Sequence, residues 1–153
     1  MKSVIAITVL SAATLGLATQ ASAYKFSPPS THFTATGPTS LTANGVTLNC
    51  TSTFTGSTDA AGRGKVTGFS ASGIAGCSSV TATLPWPAKA VNAKTGKFTN
   101  VQVAVPGLVT CGPGSVKAKD NASGQITFDA TLDPGNCHVS GTVQSSPPVT
   151  IVP

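Results

Sequence analysis

At 153 residues, with only 8% charged and 5% aromatic side chains, the chain has room for one domain with a core of modest side chains and not comfortably for two. Nine basic residues against four aspartates give a net charge of +5. The basic residues are scattered and lack interleaved aromatics, which argues against nucleic acid as a partner.

The N-terminus opens with Met1-Lys2-Ser3, continues as an apolar run from Val4 to Ala18, and ends in Ala21-Ser22-Ala23. A positive start, a short apolar stretch and a small-residue cleavage site predict a secretory signal peptide over 1–23. Roughly 14 apolar residues are too few to span a bilayer. The expectation is therefore a secreted, extracellular single domain over 24–153, with no integral membrane segment. Loss of Lys2 leaves Lys25, Arg63, Lys65, Lys89, Lys94, Lys97, Lys117 and Lys119 as the basic residues. That weak positive charge suits solubility or contact with an anionic surface.

In chain order, Tyr24–Pro29 is an extended lead, and Thr31–Thr36 a first strand closed by Gly37-Pro38. Thr39–Ala43 and Val46–Thr55 form a hairpin across Asn44-Gly45, a pair suited to a type I′ turn. In the second of these strands Val46, Leu48, Cys50, Ser52 and Phe54 alternate with Thr47, Asn49, Thr51 and Thr53, the period of a half-buried strand. Residues 56–64 have turn composition. Lys65–Ala71 resumes the alternation, with a bulge expected at Gly68. Cys77–Leu84 is another strand, and Pro85-Trp86-Pro87 interrupts it because prolines cannot donate to a ladder. Phe98–Val105 follows; Gly112-Pro113-Gly114 turns the chain into Ser115–Lys119. Gln125–Ala130 places Ile126 and Phe128 inward, Asp133–Asn136 turns, and Cys137–Gln144 with Val149–Val152 completes the chain. About ten short strands without helical periodicity predict an all-β antiparallel sandwich or barrel.

Four cysteines in an exported chain predict two disulfides among three possible connectivities. The similar intervals Cys50 to Cys77 and Cys111 to Cys137, each leading into an alternating segment that meets a proline, favour those two bonds and resemble an internal duplication. No C-x-x-C pair supports a zinc site.

The inventory for catalysis is Asp59, Asp120, Asp129, Asp133, His32 and His138. Asp59, Asp120 and Asp133 fall in turns, where aspartate ordinarily bonds its own backbone. Asp129 faces outward, opposite to Phe128. No G-x-S-x-G elbow or phosphate-binding glycine loop occurs, and His32 with His138 would be the one histidine pair for a metal. The expectation is a non-enzyme without cofactor or metal. Trp86, bracketed by prolines, is weighed as a platform for a ligand or interface against the plainer role of plugging one end of the fold. The uncharged tail Val149–Val152 would leave an edge open to self-association.

Four segments carry a resemblance: Phe26-Ser-Pro-Pro-Ser-Thr-His-Phe-Thr-Ala-Thr-Gly37, Val46-Thr-Leu-Asn-Cys-Thr-Ser-Thr-Phe-Thr-Gly56, Asn136-Cys-His-Val-Ser-Gly-Thr-Val143 and Val149–Pro153. The chain resembles the small bacterial exoproteins called protein activators of alkane oxidation, the PraA/PraB-like proteins. The resemblance implies an extracellular, non-catalytic factor for alkane use, acting at the hydrocarbon–water or cell–oil interface. It equally admits a biofilm-matrix, adhesive or self-assembling subunit; a secreted hydrolase or sugar-binding module ranks third. Hydrocarbon, the cell surface and matrix components are the expected partners.

Overall fold

Alternating small apolar and hydroxyl side chains build a wall with a dry inner and a wet outer face, and here that wall bends round until it meets itself. A computed structural model describes residues 23–153; the expected signal peptide, Ala23 apart, lies outside them. The strands are β1 (Lys25–Ser27), β2 (His32–Ala43), β3 (Val46–Thr58), β4 (Gly64–Gly73), β5 (Thr81–Thr83), β6 (Trp86–Asn92), β7 (Thr95–Val105), β8 (Val109–Asp120), β9 (Gln125–Leu132), β10 (Cys137–Ser146) and β11 (Thr150–Val152). A single 3₁₀ turn, Cys77–Ser79, precedes β5.

Strands β2, β3 and β4 form one antiparallel meander and β6 to β10 another. Pairing of β10 with β2, β4 with β6 and β7 with β8 closes eight strands into a barrel. Short β5 lies along the second half of β7, and β1 pairs with β11 in a separate ribbon. Of the all-β sandwich or barrel expected from the alternation it is the barrel that forms, and both disulfides, Cys50–Cys77 and Cys111–Cys137, join the cysteines that the spacing favoured.

Several strands are longer than the sequence suggested. Gly37-Pro38 does not end a strand: β2 runs straight through it, paired with β3 along its length. On the other side the β2–β10 ladder skips only the two positions facing Pro38 and Gly37, where proline has no N–H to give. A Cβ at Gly37 would run into the Thr142 carbonyl, so glycine there admits the closing strand. Likewise Gly112-Pro113-Gly114 is a bulge inside β8, not a turn. Val101 pairs with Gly114 and Val103 with Cys111, one extra residue on β8, and Gly112 takes φ 86°. The bulge expected near Gly68 falls on its neighbour Thr67, since Thr55 pairs with Gly68 and Gly56 with Val66. Pro87 belongs to β6, opposite Lys65; the break lies between β5 and β6, at Leu84-Pro85.

The alternating strand expected from Cys77 is largely absent. Cys77 is fully buried and opens the 3₁₀ turn, whereas Cys137 opens β10. The two cysteine units therefore do not share a structure, and the spacing similarity is not a structural repeat.

The two ends of the barrel differ. The β1–β11 ribbon covers one end, with the Phe26 ring over Gly64 and Gly96. The β3–β4 turn straps the ribbon down: the Phe26 amide donates to the Gly62 carbonyl at 2.8 Å and the Ser30 amide to the Asp59 carbonyl at 3.2 Å. The Asp59 carboxylate accepts from the Ala61 and Arg63 amides, both at 2.9 Å, and from Arg63 Nε at 3.0 Å. The tail is not an open edge, because β11 pairs with β1 and the Ile151 amide donates to the Asp120 carboxylate at 2.8 Å. At the opposite end both disulfides tie the rim, and the Gly112 amide donates to the Pro134 carbonyl at 2.7 Å.

Three outcomes follow. Replacing both cysteines of either disulfide by alanine should cost about 3 kcal/mol, since each bond closes a loop of intermediate length; an unchanged guanidinium midpoint would contradict this. Gly37→Val should destabilise by about 1–3 kcal/mol through overpacking against β10, measured by the same unfolding curve. The Arg63 amide, ahead of its guanidinium and the Ala61 amide, holds the Asp59 pKa below the ordinary 3.8. Folding lowers this pKa, so the clasp is intact above the ordinary range and loosens only as pH falls through the lower folded value. An NMR titration of the Arg63 amide should show a midpoint below 3.8; a midpoint at or above it would contradict the clasp.

Candidate functional site

An eight-stranded barrel has an interior just wide enough for side chains to fill or for one small ligand. Here many inward positions carry small residues: Ala35, Val66, Ala88, Val101, Val103, Val116, Ala118 and Val143 are all buried. These small side chains leave a cavity of about 150 Å³ inside the barrel.

Its aromatic wall comes from four strands. Phe54 of β3 stands 5.3 Å from Phe69 of β4, 6.2 Å from Trp86 of β6 and 6.4 Å from Phe128 of β9, the last edge to face at 87°. Phe69 and Trp86 are 6.3 Å apart. Trp86 is therefore not a surface platform: it is 5% exposed and lines the cavity. Its indole N–H donates to the Thr83 carbonyl at 2.7 Å, so the polar edge is spent on backbone and the apolar rest of the ring serves the wall.

The buried hydroxyls are occupied in the same way. Ser52 shares a 2.6 Å hydrogen bond with Thr39. Ser145 donates to the Gly124 carbonyl at 2.8 Å and accepts from the Val149 amide at 2.9 Å. Thr58 donates to the Pro28 carbonyl at 2.7 Å and accepts from the Thr31 amide at 3.1 Å. Among the described residues no buried side-chain nitrogen or oxygen lacks a partner. The one charged residue at the cavity boundary, Lys65, is exposed. Such a space offers mainly dispersion contacts, so it suits an apolar ligand.

One part of the wall is not sewn by backbone hydrogen bonds. The β4–β6 ladder comprises only Gly64 with Ala88, Lys65 with Pro87 and Val66 with Trp86. Beyond it β4 continues to Gly73 and faces β5, but β5 pairs with β7 alone. Phe69, Ala71 and Val80 bring cavity-lining side chains to this seam, and the Cys50–Cys77 bond anchors the loop that spans its end. Three exposed apolar residues stand at the same end of the barrel: Val46 at 43%, Ile74 at 55% and Leu108 at 39%. The Asn44 side-chain Nδ2 donates to the Leu108 carbonyl at 3.4 Å, which joins two of the turns that carry them.

The polar candidates do not converge. His138 lies opposite Thr42, ten residues along β2 from His32, or about 33 Å of extended strand; the two histidines cannot share a metal. His138 instead bonds the Asp129 carboxylate at 2.7 Å on the outer wall. Asp59 and Asp120 serve the backbone as described, and Asp133 sits in the exposed turn before β10. No cluster of three metal-ligating side chains occurs among the described residues. No described helix is long and apolar enough to cross a membrane. The sequence pattern put Phe54 and Phe128 inward but gave no sign that Phe69 and Trp86 would join them around an empty space.

A family model described as alkane oxidation protein activator, PraA/PraB-like, matches residues 1–153. No curated protein and no solved structure matches the chain. The likeness first carried by the segments around Cys50 and Cys137 thus extends over the whole sequence, and the chain belongs to the PraA/PraB-like family of alkane oxidation activators.

Proposed function

We propose that the protein is secreted and promotes alkane use without catalysis, taking an alkyl segment into its barrel at the boundary of oil, water and cell. The observation that carries this reading is the cavity itself, its exposed lining surface almost wholly apolar and, among the described residues, no buried side-chain polar atom unpaired. A dry cavity of this size in another protein holds benzene, so about six carbon atoms fit. Longer alkanes leave through the seam between β4 and β5, where only side-chain contacts must part. The rim of Val46, Ile74 and Leu108 meets the oil and brings the seam to it.

Export is supported by the leader-like start of the chain and by two disulfides, which persist in oxidising compartments. The absence of catalysis is supported by the scatter of aspartates and histidines, none of which faces the cavity. A matrix subunit built by strand exchange finds less support, because the unpaired edges of β4 and β5 face each other across the seam and Asp120 occupies the outward Ile151 amide.

The test uses the single tryptophan, which reports on cavity occupancy. Titration of the purified, oxidised protein with benzene should saturate at one molecule per chain, shift Trp86 emission, and be competed by hexane. Ala118→Leu, which fills the cavity, should weaken binding about tenfold or more by removing the space the ligand needs, at an overpacking cost of about 1–3 kcal/mol. Circular dichroism would confirm that the variant remains folded. Unsaturable uptake by the parent, or unchanged affinity in the folded variant, would overturn the cavity reading. The protein should also lower hexadecane–water tension further than a secreted β-sandwich of similar size and charge.

A further inference from the structure

The basic residues that look dispersed along the chain are gathered by the barrel. Register places Lys89 of β6 opposite Lys97 of β7, and Lys97 opposite Lys117 of β8. Three lysines thus stand abreast on adjacent strands, about 10 Å from first to last. All three alternate with inward residues: Ala88, Phe98, Val116 and Ala118 line the cavity, so the lysines point out of the wall. Lys119 continues the row along β8, opposite Thr95. The Lys94 carbonyl accepts the Asp120 amide at 3.0 Å, which sets the β6–β7 turn beside Lys119. Lys65 lies on the neighbouring strand β4, opposite Pro87, and Lys25 and Arg63 belong to the ribbon and its strap. Every basic residue among those described lies in the half of the barrel that the β1–β11 ribbon covers.

Few acids offset them. Among the described residues the ion pairs are Arg63 with Asp59 and His138 with Asp129; Asp120 is engaged by the Ile151 amide, and Asp133 lies at the far end. The lysine row has no acidic partner. Like charges directly opposite on paired strands are destabilising, and a counter-charge supplied from outside relieves that repulsion.

We infer that this face docks on a lipid bilayer bearing anionic phosphate headgroups. The row consists of lysines, hydrated point charges on flexible stems, and not of arginine forks that read one defined anion. The one exposed aromatic ring beside it, Tyr24, does not make the series of stacking platforms that successive nucleic-acid bases use. What accompanies the charge is apolar: Val91, 48% exposed, follows Lys89 by two residues, and Tyr24, 39% exposed, precedes Lys25. Exposed apolar side chains among lysines suit the zone where headgroups meet acyl chains, and a hydrated acidic polysaccharide has no such zone.

The experiment is co-sedimentation of the purified, oxidised protein with phosphatidylcholine vesicles, with and without phosphatidylglycerol. Binding should require the anionic lipid and weaken steeply with added salt. The triple variant Lys89→Gln, Lys97→Gln, Lys117→Gln should lose about fivefold per lysine, or about a hundredfold in all. Its melting temperature should match or exceed the parent's, and its uptake of benzene should be unchanged, which separates this face from the cavity. Equal binding to neutral and anionic vesicles would overturn the proposal, as would parental affinity in the folded variant. Capture of alginate with no capture of vesicles would also overturn it, in favour of a polysaccharide partner.

Discussion

The ladder between β2 and β10 is the constraint on which the molecule depends. It joins the first long strand to the last, and without it the eight strands would be an open sheet with an apolar face and two free edges, β2 and β10. The ladder passes the tightest point of the wall at Gly37, where no side chain fits against the Thr142 carbonyl. Once closed, the barrel needs no large core. Its stability comes from backbone pairing, two cross-links and many small contacts, which is how a chain so poor in aromatics can hold a fold of this size.

Closure also explains why the interior can be both hollow and apolar. Small inward residues leave space, and among the described residues every buried hydroxyl is already engaged, so the space presents mainly hydrocarbon. The same economy governs the surface. Threonine pairs such as Thr36 with Thr53 and Thr42 with Thr47 bond across strands on the outside, at 3.1 and 2.8 Å. They keep the outer wall polar with almost no charge. Charge is then concentrated where the lysines stand abreast, and exposed apolar bulk where the turns of the other end project. The protein is two-ended: an apolar rim beside the seam, and a basic flank beside the ribbon. A molecule with that polarity lies naturally between oil and an anionic cell surface, which joins the two proposals in one geometry.

Alternation is a local property, so the sequence by itself determined the strands, their inward and outward faces, the hairpin at Asn44-Gly45 and the all-β class. Cysteine spacing pointed to the right pairs because each bond spans a loop that the strand pattern already brings back on itself. Local signals misled where a residue's role depended on a neighbour distant in sequence. Gly37-Pro38 and Gly112–Gly114 read as turns, yet one is the close approach of β10 and the other a bulge matched to β7. Only tertiary structure decided the cavity, the seam and the lysine row. A cavity is the difference between the width of a closed barrel and the volume of side chains from eight strands, and Trp86 and Phe69 meet only after closure. Lys89, Lys97 and Lys117 become neighbours through register, a relation between strands that no single stretch of the chain encodes.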